Sequence, residues 1–246
     1  MFVVDIKALF RSLSIYRFNR EHHQSLLTLY RPLVPKRGLV FDIGAHAGDR
    51  TYCFRKLGAR VISIEPQKIF ASFLKIDNFL HPKVTVLNNV VSEINGVKTL
   101  QVNSRNPTVS TLSNSFIQAA NDRGNEWHGQ AWDHSISVHS VTLDFLITQY
   151  GVPDFIKIDV EGAELDVLNG LTQVVPAISF EFTLIQRELA FDCIRRCEAL
   201  GMHQFNVSLG EAHTFIFDSW TDAATLSSYI SELPSEANSG DVYASI

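Results

Sequence analysis

The chain has 246 residues, of which 46% are hydrophobic and 19% charged, and its formal net charge is −5 at pH 7. This length and composition predict a globular protein large enough for one domain with a full core, and they exclude an intrinsically disordered chain. The negative net charge argues against nucleic acid as the main partner.

The cysteines and the hydrophobic stretches bear on the compartment. The three cysteines, Cys53, Cys193 and Cys197, lack the spacing of a disulfide framework and fit a reducing cytoplasm. Cys193 and Cys197 are four residues apart in a helical pattern, so we expect both on one helix face as small apolar side chains. No stretch of the sequence reaches the length of a membrane span.

Residues 1–37 are predicted to form two helices and a loop. In the first helix Val3, Ile6, Phe10 and Leu13 recur at helical spacing, with basic residues between them. Such a helix either packs on its own domain, which we favour, or lies on a membrane surface. The second helix is expected around residues 21–30, before two prolines that stop it.

From residue 38 onward, strand and helix patterns alternate. The strand patterns cover residues 39–42, 60–65, 84–89, 154–159 and 177–182, and the helical patterns cover residues 50–57, 68–79, 143–150, 162–169, 187–200 and 222–233. Strands over 203–208 and 213–217 are expected to pair with each other, and a last strand covers 241–245. Repeated βα units predict a mainly parallel sheet with helices on both faces, in a single domain over residues 1–246.

Residues 92–141 interrupt this alternation. Two strand patterns, 97–102 and 136–141, flank a long polar loop over residues 103–135 that contains Trp127 and Trp132. Loops of this length in compact domains are usually lids or binding loops, so we expect this one to cover the substrate. The two tryptophans either offer flat faces to an acceptor or anchor the loop to the domain, and we favour anchoring.

The first strand leads into a D-x-G-x-x-x-G pattern formed by Asp42, Gly44 and Gly48. Strand, glycine turn and helix in this order form the ligand site of an open α/β sheet, where backbone N–H groups are expected to approach the ligand. A dinucleotide site would show G-x-G-x-x-G, and a carboxylate would repel its pyrophosphate. Asp42 instead predicts S-adenosylmethionine, an adenosine cofactor that carries a sulfonium and an ammonium.

The second strand ends in Glu65, about 20 residues further on, where a ribose-binding acid is expected. Its carboxylate can accept hydrogen bonds from both ribose hydroxyls. The end of the third strand, at Asn89, is expected near the adenine. In the alternative interpretation Asp42 only caps a helix and Glu65 is an exposed loop acid.

The pattern over residues 154–164 carries many charges for a buried strand. Period two places Phe155, Lys157 and Asp159 on one face, and Asp159 falls at the carboxyl end of the strand. This end faces the same crevice as the first two strands. A structural alternative is that Lys157 pairs with Asp159, and that Glu164 supports the first turn of the next helix.

Together these motifs resemble the FkbM family of S-adenosylmethionine-dependent methyltransferases. The similar segments lie at residues 41–48, 64–66, 109–112, 141–144, 156–164 and 240–244, and the resemblance covers residues 36–246. It implies a three-layer Rossmann-like α/β sandwich whose mainly parallel seven-stranded sheet has an antiparallel strand near one edge. It also implies methyl transfer to a hydroxyl of a sugar or another small natural product. His46 departs from the family, which more often has Asn there.

Carried over by position, the resemblance and the motifs give a predicted site. The predicted cofactor-binding residues are Asp42, Gly44, Ala45, His46, Gly48, Glu65, Asn89 and Asp159. Transfer of the methyl group requires a base for the acceptor proton, and Asp159 is the first candidate, followed by Glu161 and Glu181. The acids are scattered without a diagnostic cluster, so no metal is predicted. The expected partner is a small-molecule hydroxyl acceptor, which the sequence does not identify.

Two other functions compete with methyl transfer. A nicotinamide-dependent oxidoreductase would use the same type of sheet, but the missing G-x-G-x-x-G and the presence of Asp42 argue against it. A protein that keeps the fold and binds the cofactor without activity is the other alternative. The intact acids and glycines make it the less favoured one.

Overall fold

The computed structural model describes residues 6–17, 19–122, 127 and 129–246. Its strands are β1 (Leu39–Ile43), β2 (Arg60–Ile64), β3 (Val84–Leu87), β4 (Val90–Val91), β5 (Gly96–Val102), β6 (His134–Val141), β7 (Phe155–Ile158), β8 (Ala177–Thr183), β9 (Gln204–Leu209) and β10 (Ser239–Ser245). Its α-helices are α1 (Ile6–Ser12), α2 (Arg20–Tyr30), α3 (Asp49–Leu57), α4 (Lys68–Asp77), α5 (Asn114–Asp122), α6 (Leu143–Tyr150), α7 (Glu164–Asn169), α8 (Arg187–Ala199) and α9 (Ala223–Glu232).

Seven strands form the main sheet in the order β3-β2-β1-β7-β8-β10-β9. The pairs from β3 to β8 are parallel, whereas β10 runs antiparallel to both β8 and β9. This confirms the predicted Rossmann-like sheet with one antiparallel strand beside the edge. A second, smaller sheet has the order β4-β6-β5.

Alternating residues of the central strands fill two separate cores, one on each face of the main sheet. Phe41 and Ile156 point into the larger core, with the apolar faces of α6, α8 and α9. Val40 and Phe155 point to the other face, where they pack with Tyr30 of α2 and with α3. The period-two pattern of each strand therefore produces the three layers, helices, sheet and helices.

Several helices begin at a polar side chain that accepts a hydrogen bond from their first turn. Thr142 accepts from the N–H of Phe145 at the start of α6, and Asp222 accepts from the N–H of Thr225 at the start of α9. The predicted helix over 162–169 begins only at Glu164. Glu161 and Gly162 both have positive φ values, 55° and 88°, which interrupt a right-handed helix.

The predicted strand pair at residues 203–208 and 213–217 is wrong. The partner of β9 is β10, which binds it along a full antiparallel register. Residues 213–217 are not a strand because His213 has a left-handed backbone, φ 52°, and because the Asn206 side chain takes the place of a strand partner. That amide donates to the carbonyl of Phe217 and accepts from its N–H.

The insert also differs from the prediction. Strands β5 and β6 lie where they were expected, but residues 103–135 are not one irregular loop, since they contain α5. Phe116 and Ala120 give this helix an apolar face that is buried, which is enough to stabilise it against the core. Residues 123–126 and 128 of the predicted loop lie outside the described residues.

The N-terminal segment packs on its own domain, as favoured, and it does so through part of the predicted stripe, since Leu13 is buried. Ala8 is buried with Phe70 of α4 and Val102 of β5, whereas Phe10 is 65% exposed. Val3 lies outside the described residues. In the described part of the chain, no helix is both long enough and apolar enough to cross a membrane.

The two cysteines predicted to share a helix face do so. Cys193 and Cys197 lie on α8 and are buried in the larger core. Burial raises the pKa of the Cys193 thiol far above its ordinary value, so the group stays protonated at neutral pH. Both thiols therefore act as small apolar side chains.

Candidate functional site

A cavity of about 350 Å³ opens at the carboxyl ends of the parallel strands. It lies where the strand order reverses between β1 and β7, the position at which open α/β sheets bind their ligands. This volume is within the range of small-molecule sites. The cavity is lined by most of the predicted cofactor-binding residues and by side chains that the sequence did not single out. The predicted residues that line it are Asp42, Gly44, Ala45, His46, Glu65, Asn89 and Asp159.

Asp42 ends β1 at the floor of this cavity. Its side chain is only 2% exposed, and it accepts a short hydrogen bond from the Thr51 hydroxyl, which also contacts the hydroxyl of Ser63. Burial raises the pKa of Asp42 to about 7, against the opposing effect of the Thr51 hydrogen bond. A cation beside this carboxyl group would favour its ionised form.

Glu65 organises the turn that follows β1. One carboxylate oxygen accepts from the backbone N–H of His46 at 2.9 Å, and the other accepts from the N–H of Gln67 at 2.7 Å. Burial raises the pKa of Glu65 to about 7, although both hydrogen bonds favour the charged form. Since a carboxylate has about four acceptor positions, two remain for ligand hydroxyls. Glu65 is therefore not the exposed loop acid of the alternative interpretation.

Both glycines of the D-x-G-x-x-x-G pattern are held by close contacts within the protein. The N–H of Gly44 donates to the carbonyl of Ile64, so it is already used within the protein. Gly44 has φ +80°, and a Cβ built there would lie 1.8 Å from the carbonyl oxygen of Asp159. A Cβ at Gly48 would lie 2.3 Å from Leu74, and Gly48 does not line the cavity. Both glycines permit close packing of the chain.

His46 lies in the turn between β1 and α3 and packs against Phe70, with ring centroids 4.2 Å apart. Burial lowers the pKa of His46 to about 4, so the ring is neutral at physiological pH. His46, which stands where the family more often has Asn, is therefore uncharged as an Asn would be. A neutral imidazole, unlike an imidazolium, would not repel a sulfonium.

Lys157 is a buried ammonium on β7, 1% exposed. Its Nζ lies 2.5 Å from a carboxylate oxygen of Asp241 on β10 and 3.5 Å from one of Asp159. Burial disfavours the charge, but the two carboxylates outweigh it and raise the pKa of Lys157 above its ordinary value. The expected pairing of Lys157 with Asp159 is present. The closer partner, Asp241, was not predicted, although it lies in the family-like segment 240–244.

Three carboxyl groups meet at one side of the cavity, and we call them the acid cluster: Asp159, Glu161 and Glu181. One oxygen of each lies within 4.8 Å of the others. The sequence places these residues at neighbouring strand ends but does not show that they touch. Burial raises the pKa of Glu161 and of Glu181 well above the ordinary value, and the charge of Asp159 adds to it. The cluster therefore binds protons readily.

Glu164 supports the backbone beside the acid cluster. Its carboxylate accepts hydrogen bonds from the N–H groups of Val160 and Gly162. This matches the structural role expected for Glu164, extended to the loop before α7. A Cβ at Gly162 would lie 2.7 Å from the Cβ of Phe116, so the glycine lets α5 of the insert pack onto this loop.

The insert forms one wall of the cavity. The Thr111 hydroxyl donates to the carbonyl of Glu161 at 2.6 Å, which joins the insert to the acid cluster. Trp132 donates from its indole N–H to the carbonyl of Val109, and both Trp127 and Trp132 meet the Phe116 ring edge-on. The tryptophans thus anchor the insert, as favoured.

Most of the chain matches a known protein family. The model of the methyltransferase FkbM domain matches residues 42–233. The chain belongs to the FkbM methyltransferase family. It is accordingly a methyltransferase that takes its methyl group from S-adenosylmethionine. Among curated proteins, none has significant sequence similarity to this chain.

Solved structures similar to this FkbM methyltransferase include three from bacteria. The O-methyltransferase from Bacillus cereus in complex with SAH has 11% identity and a TM-score of 0.44, over 98% of this chain and 92% of that one. A TehB-like SAM-dependent methyltransferase from Corynebacterium glutamicum has 11% identity and a TM-score of 0.47, over 96% and 93%. The precorrin-6y C5,15-methyltransferase from Geobacter metallireducens has 11% identity and a TM-score of 0.45, over 92% and 88%.

The polar groups that line the cavity are of the kinds that S-adenosylmethionine requires. Asp42 and Glu65 supply carboxyl oxygens for cationic groups and for hydroxyls. Gln67, which the sequence analysis missed, adds an acceptor: its side-chain oxygen is buried in the cavity wall and has no hydrogen-bond partner among the described residues. Its position directly after Glu65-Pro66 is the signal that could have found it. An amine of the ligand would satisfy this oxygen.

Proposed function

We propose that this FkbM methyltransferase methylates a hydroxyl oxygen on a sugar or another small natural product. The acid cluster carries this proposal. A hydroxyl must lose its proton when its oxygen is methylated, and a carboxylate within hydrogen-bond reach can take it. Asp159, Glu161 and Glu181 provide three such groups beside the cofactor cavity. An acceptor amine that is already neutral would not need them.

Within the acid cluster we assign the first contact with the acceptor to Asp159. Its backbone lies against Gly44 in the turn of the cofactor site, and its carboxylate is 3.5 Å from the Lys157 ammonium. Lys157 is therefore a positioning residue that holds Asp159 at the end of β7. Glu161 and Glu181 are the next candidates for the base, but their pKa values are raised, so either must release its own proton before it can accept that of the acceptor.

The remaining residues bind and orient. When bound, S-adenosylmethionine supplies an electrophilic methyl group that leaves the sulfonium sulphur as the acceptor oxygen attacks. Asp42 would hold the methionine end and Glu65 the ribose, while neutral His46 adds no opposing charge. We expect no metal in this step, although the three carboxyl groups of the acid cluster are close enough together to hold a metal ion.

Calorimetric titration with S-adenosylhomocysteine tests the cofactor site. The wild type should bind one equivalent, and an Asp42→Ala/Glu65→Ala variant should not. The matched control is Glu188→Gln, which changes an exposed acid on α8 and should bind as the wild type does. Equal binding by the wild type and the double variant would show that Asp42 and Glu65 do not form the cofactor site.

Methyl transfer is then measured on a panel of sugar and natural-product hydroxyl acceptors. Asp159→Asn should lower kcat about 10²–10⁴-fold and leave the affinity for S-adenosylhomocysteine unchanged. Unaltered turnover in this variant would remove Asp159 from its assigned role. Binding of the cofactor with no transfer to any acceptor would favour a protein without activity, and transfer only to amines would refute hydroxyl methylation.

A further inference from the structure

A second group of ligand-type side chains lies at the rim of the cavity, and the proposed methyl transfer does not use it. His22 comes from α2, and Glu211 and His213 come from the segment after β9, almost 190 residues further along the chain. One ligand atom of each lies within 4.8 Å of the others. We call these three residues the histidine cluster. Glu211 also lines the cofactor cavity.

Both rings of the histidine cluster point to the same carboxylate oxygen. His213 Nε2 lies 2.9 Å from Glu211 Oε2, and His22 Nδ1 lies 3.7 Å from it. The two rings meet edge-on at 74°, with centroids 4.8 Å apart. Ligand atoms around a tetrahedral Zn²⁺, at bond lengths near 2.1 Å, are about 3.4 Å from one another. The two distances from the ring nitrogens to Glu211 Oε2, 2.9 and 3.7 Å, lie on either side of this value.

The other nitrogen of each ring is held by a second hydrogen bond. His22 Nε2 lies 3.0 Å from the carboxylate of Asp49, and His213 Nδ1 lies 2.8 Å from the Ser25 hydroxyl. Ser25 donates its proton to the carbonyl of His22, so it accepts from His213 Nδ1–H. Histidines that bind metals are oriented in this way, through a carboxylate or hydroxyl on the nitrogen that does not face the metal.

These outer hydrogen bonds fix where the lone pairs lie. When the ring protons lie on His22 Nε2 and His213 Nδ1, the other two ring nitrogens can direct lone pairs towards the Glu211 carboxylate. A cation placed among these three atoms would accept a lone pair from each of them. Arg50 also forms an ion pair with Glu211 at 3.9 Å, but its guanidinium lies closer to Asp49, at 2.5 Å.

We propose that His22, Glu211 and His213 bind a divalent transition-metal ion of the zinc class. Imidazole and carboxylate ligands suit this class better than Mg²⁺ or Ca²⁺, which prefer oxygen ligands alone. Three protein ligands leave a fourth position for water. The ion would link α2 to the segment after β9 and thereby fix the helix against one rim of the cofactor cavity.

The test is a calorimetric titration of the full chain with Zn²⁺, after removal of metals with a chelator. We expect one Zn²⁺ per chain, no competition from Mg²⁺, and with Co²⁺ the visible absorption of a tetrahedral site. Glu211→Gln should weaken Zn²⁺ binding at least tenfold. This side chain is 59% exposed, so the variant should fold, which circular dichroism would check.

Two further variants separate the histidine cluster from other sites. His213→Gln should weaken Zn²⁺ binding at least tenfold, whereas His203→Gln, which changes an exposed histidine, should not. Excess Zn²⁺ should raise the melting temperature of the wild type by several degrees and leave that of Glu211→Gln unchanged. No Zn²⁺ binding by the wild type, or binding that survives both cluster variants, would overturn the proposal and leave protonated histidines as the bridging charge.

Discussion

Replacement of Asp42 by Asn should stabilise the protein and abolish cofactor binding. The Asp42 carboxyl group is 2% exposed, and burial raises its pKa from 3.8 to about 7. Below pH 4 the group is protonated in both the folded and the unfolded chain, so it does not affect stability. Between pH 4 and 7 the unfolded chain loses the proton first, and the folded state becomes less stable as the pH rises. Above pH 7 the full penalty remains.

The size of this penalty follows from the pKa. A change from 3.8 to about 7 corresponds to about 4 kcal/mol of unfolding free energy at pH 8. Asn removes the charge but accepts a weaker hydrogen bond from Thr51 than a carboxylate does, which offsets about half of the gain. We therefore expect Asp42→Asn to be about 2 kcal/mol more stable at pH 8. In a chain of this length that corresponds to a melting temperature higher by about 4–8 °C.

Thermal unfolding of the cofactor-free protein at pH 5, 6, 7 and 8 measures this effect. The difference between Asp42→Asn and wild type should grow from pH 5 to pH 7 and then level off. Asp218→Asn is the matched control, because it makes the same chemical change at an exposed site and should follow the wild type. Calorimetry with S-adenosylmethionine at pH 8 should show binding by the wild type and by the control only.

A stability difference that stays constant from pH 5 to pH 8 would refute the reasoning, since the penalty would then not come from a buried charge. An Asp42→Asn variant that is less stable than the wild type at pH 8 would also refute it. Retained cofactor binding in Asp42→Asn would contradict the assigned role of the carboxylate in holding the methionine end.

Three other predictions follow from buried contacts. Gly44→Ala would bring a Cβ to 1.8 Å from the Asp159 carbonyl and should lower the unfolding free energy in urea by about 3 kcal/mol or more; an unchanged midpoint would contradict this. Lys157→Met leaves Asp241 buried without its ammonium and should cost about 3–5 kcal/mol, part of which a second change, Asp241→Asn, should restore. The pKa values of Asp42 and Glu65 are both raised to about 7, and both are assigned to the ligand in their ionised forms. S-adenosylhomocysteine should therefore bind about a hundredfold more weakly at pH 6 than at pH 8 in a calorimetric titration, and Glu65→Gln should reduce this difference to about tenfold.

The sequence determined which residues lie at the strand ends. Alternation of apolar residues places Phe155 and Lys157 on one face of β7, and an acid after an apolar run places Asp42 and Glu65 at the carboxyl edge of the sheet. These properties depend only on local geometry, so a pattern of neighbouring residues is enough to predict them. The family-like segments then indicated the cofactor.

Other features depend on contacts that no local pattern records. Strand β9 pairs along its length with the distant β10, whereas from residues 213–217 it receives a backbone hydrogen bond only from Ile216, to the carbonyl of Val207. The insert was predicted as a loop because its polar residues obscured the short apolar face of α5, which only burial of Phe116 stabilises.

The acid cluster and the histidine cluster also combine residues that the sequence places and distances that only the fold sets. The sequence indicated that Asp159, Glu161 and Glu181 lie towards the carboxyl ends of neighbouring strands. Their mutual distance depends on the strand order and on the left-handed backbone at Glu161. His22 and His213 meet only because α2 packs against the segment that follows β9. The sequence by itself thus determined the fold class and the cofactor chemistry, whose signals are local. The tertiary structure decided which charges meet, because such distances are set by chain segments far apart in sequence.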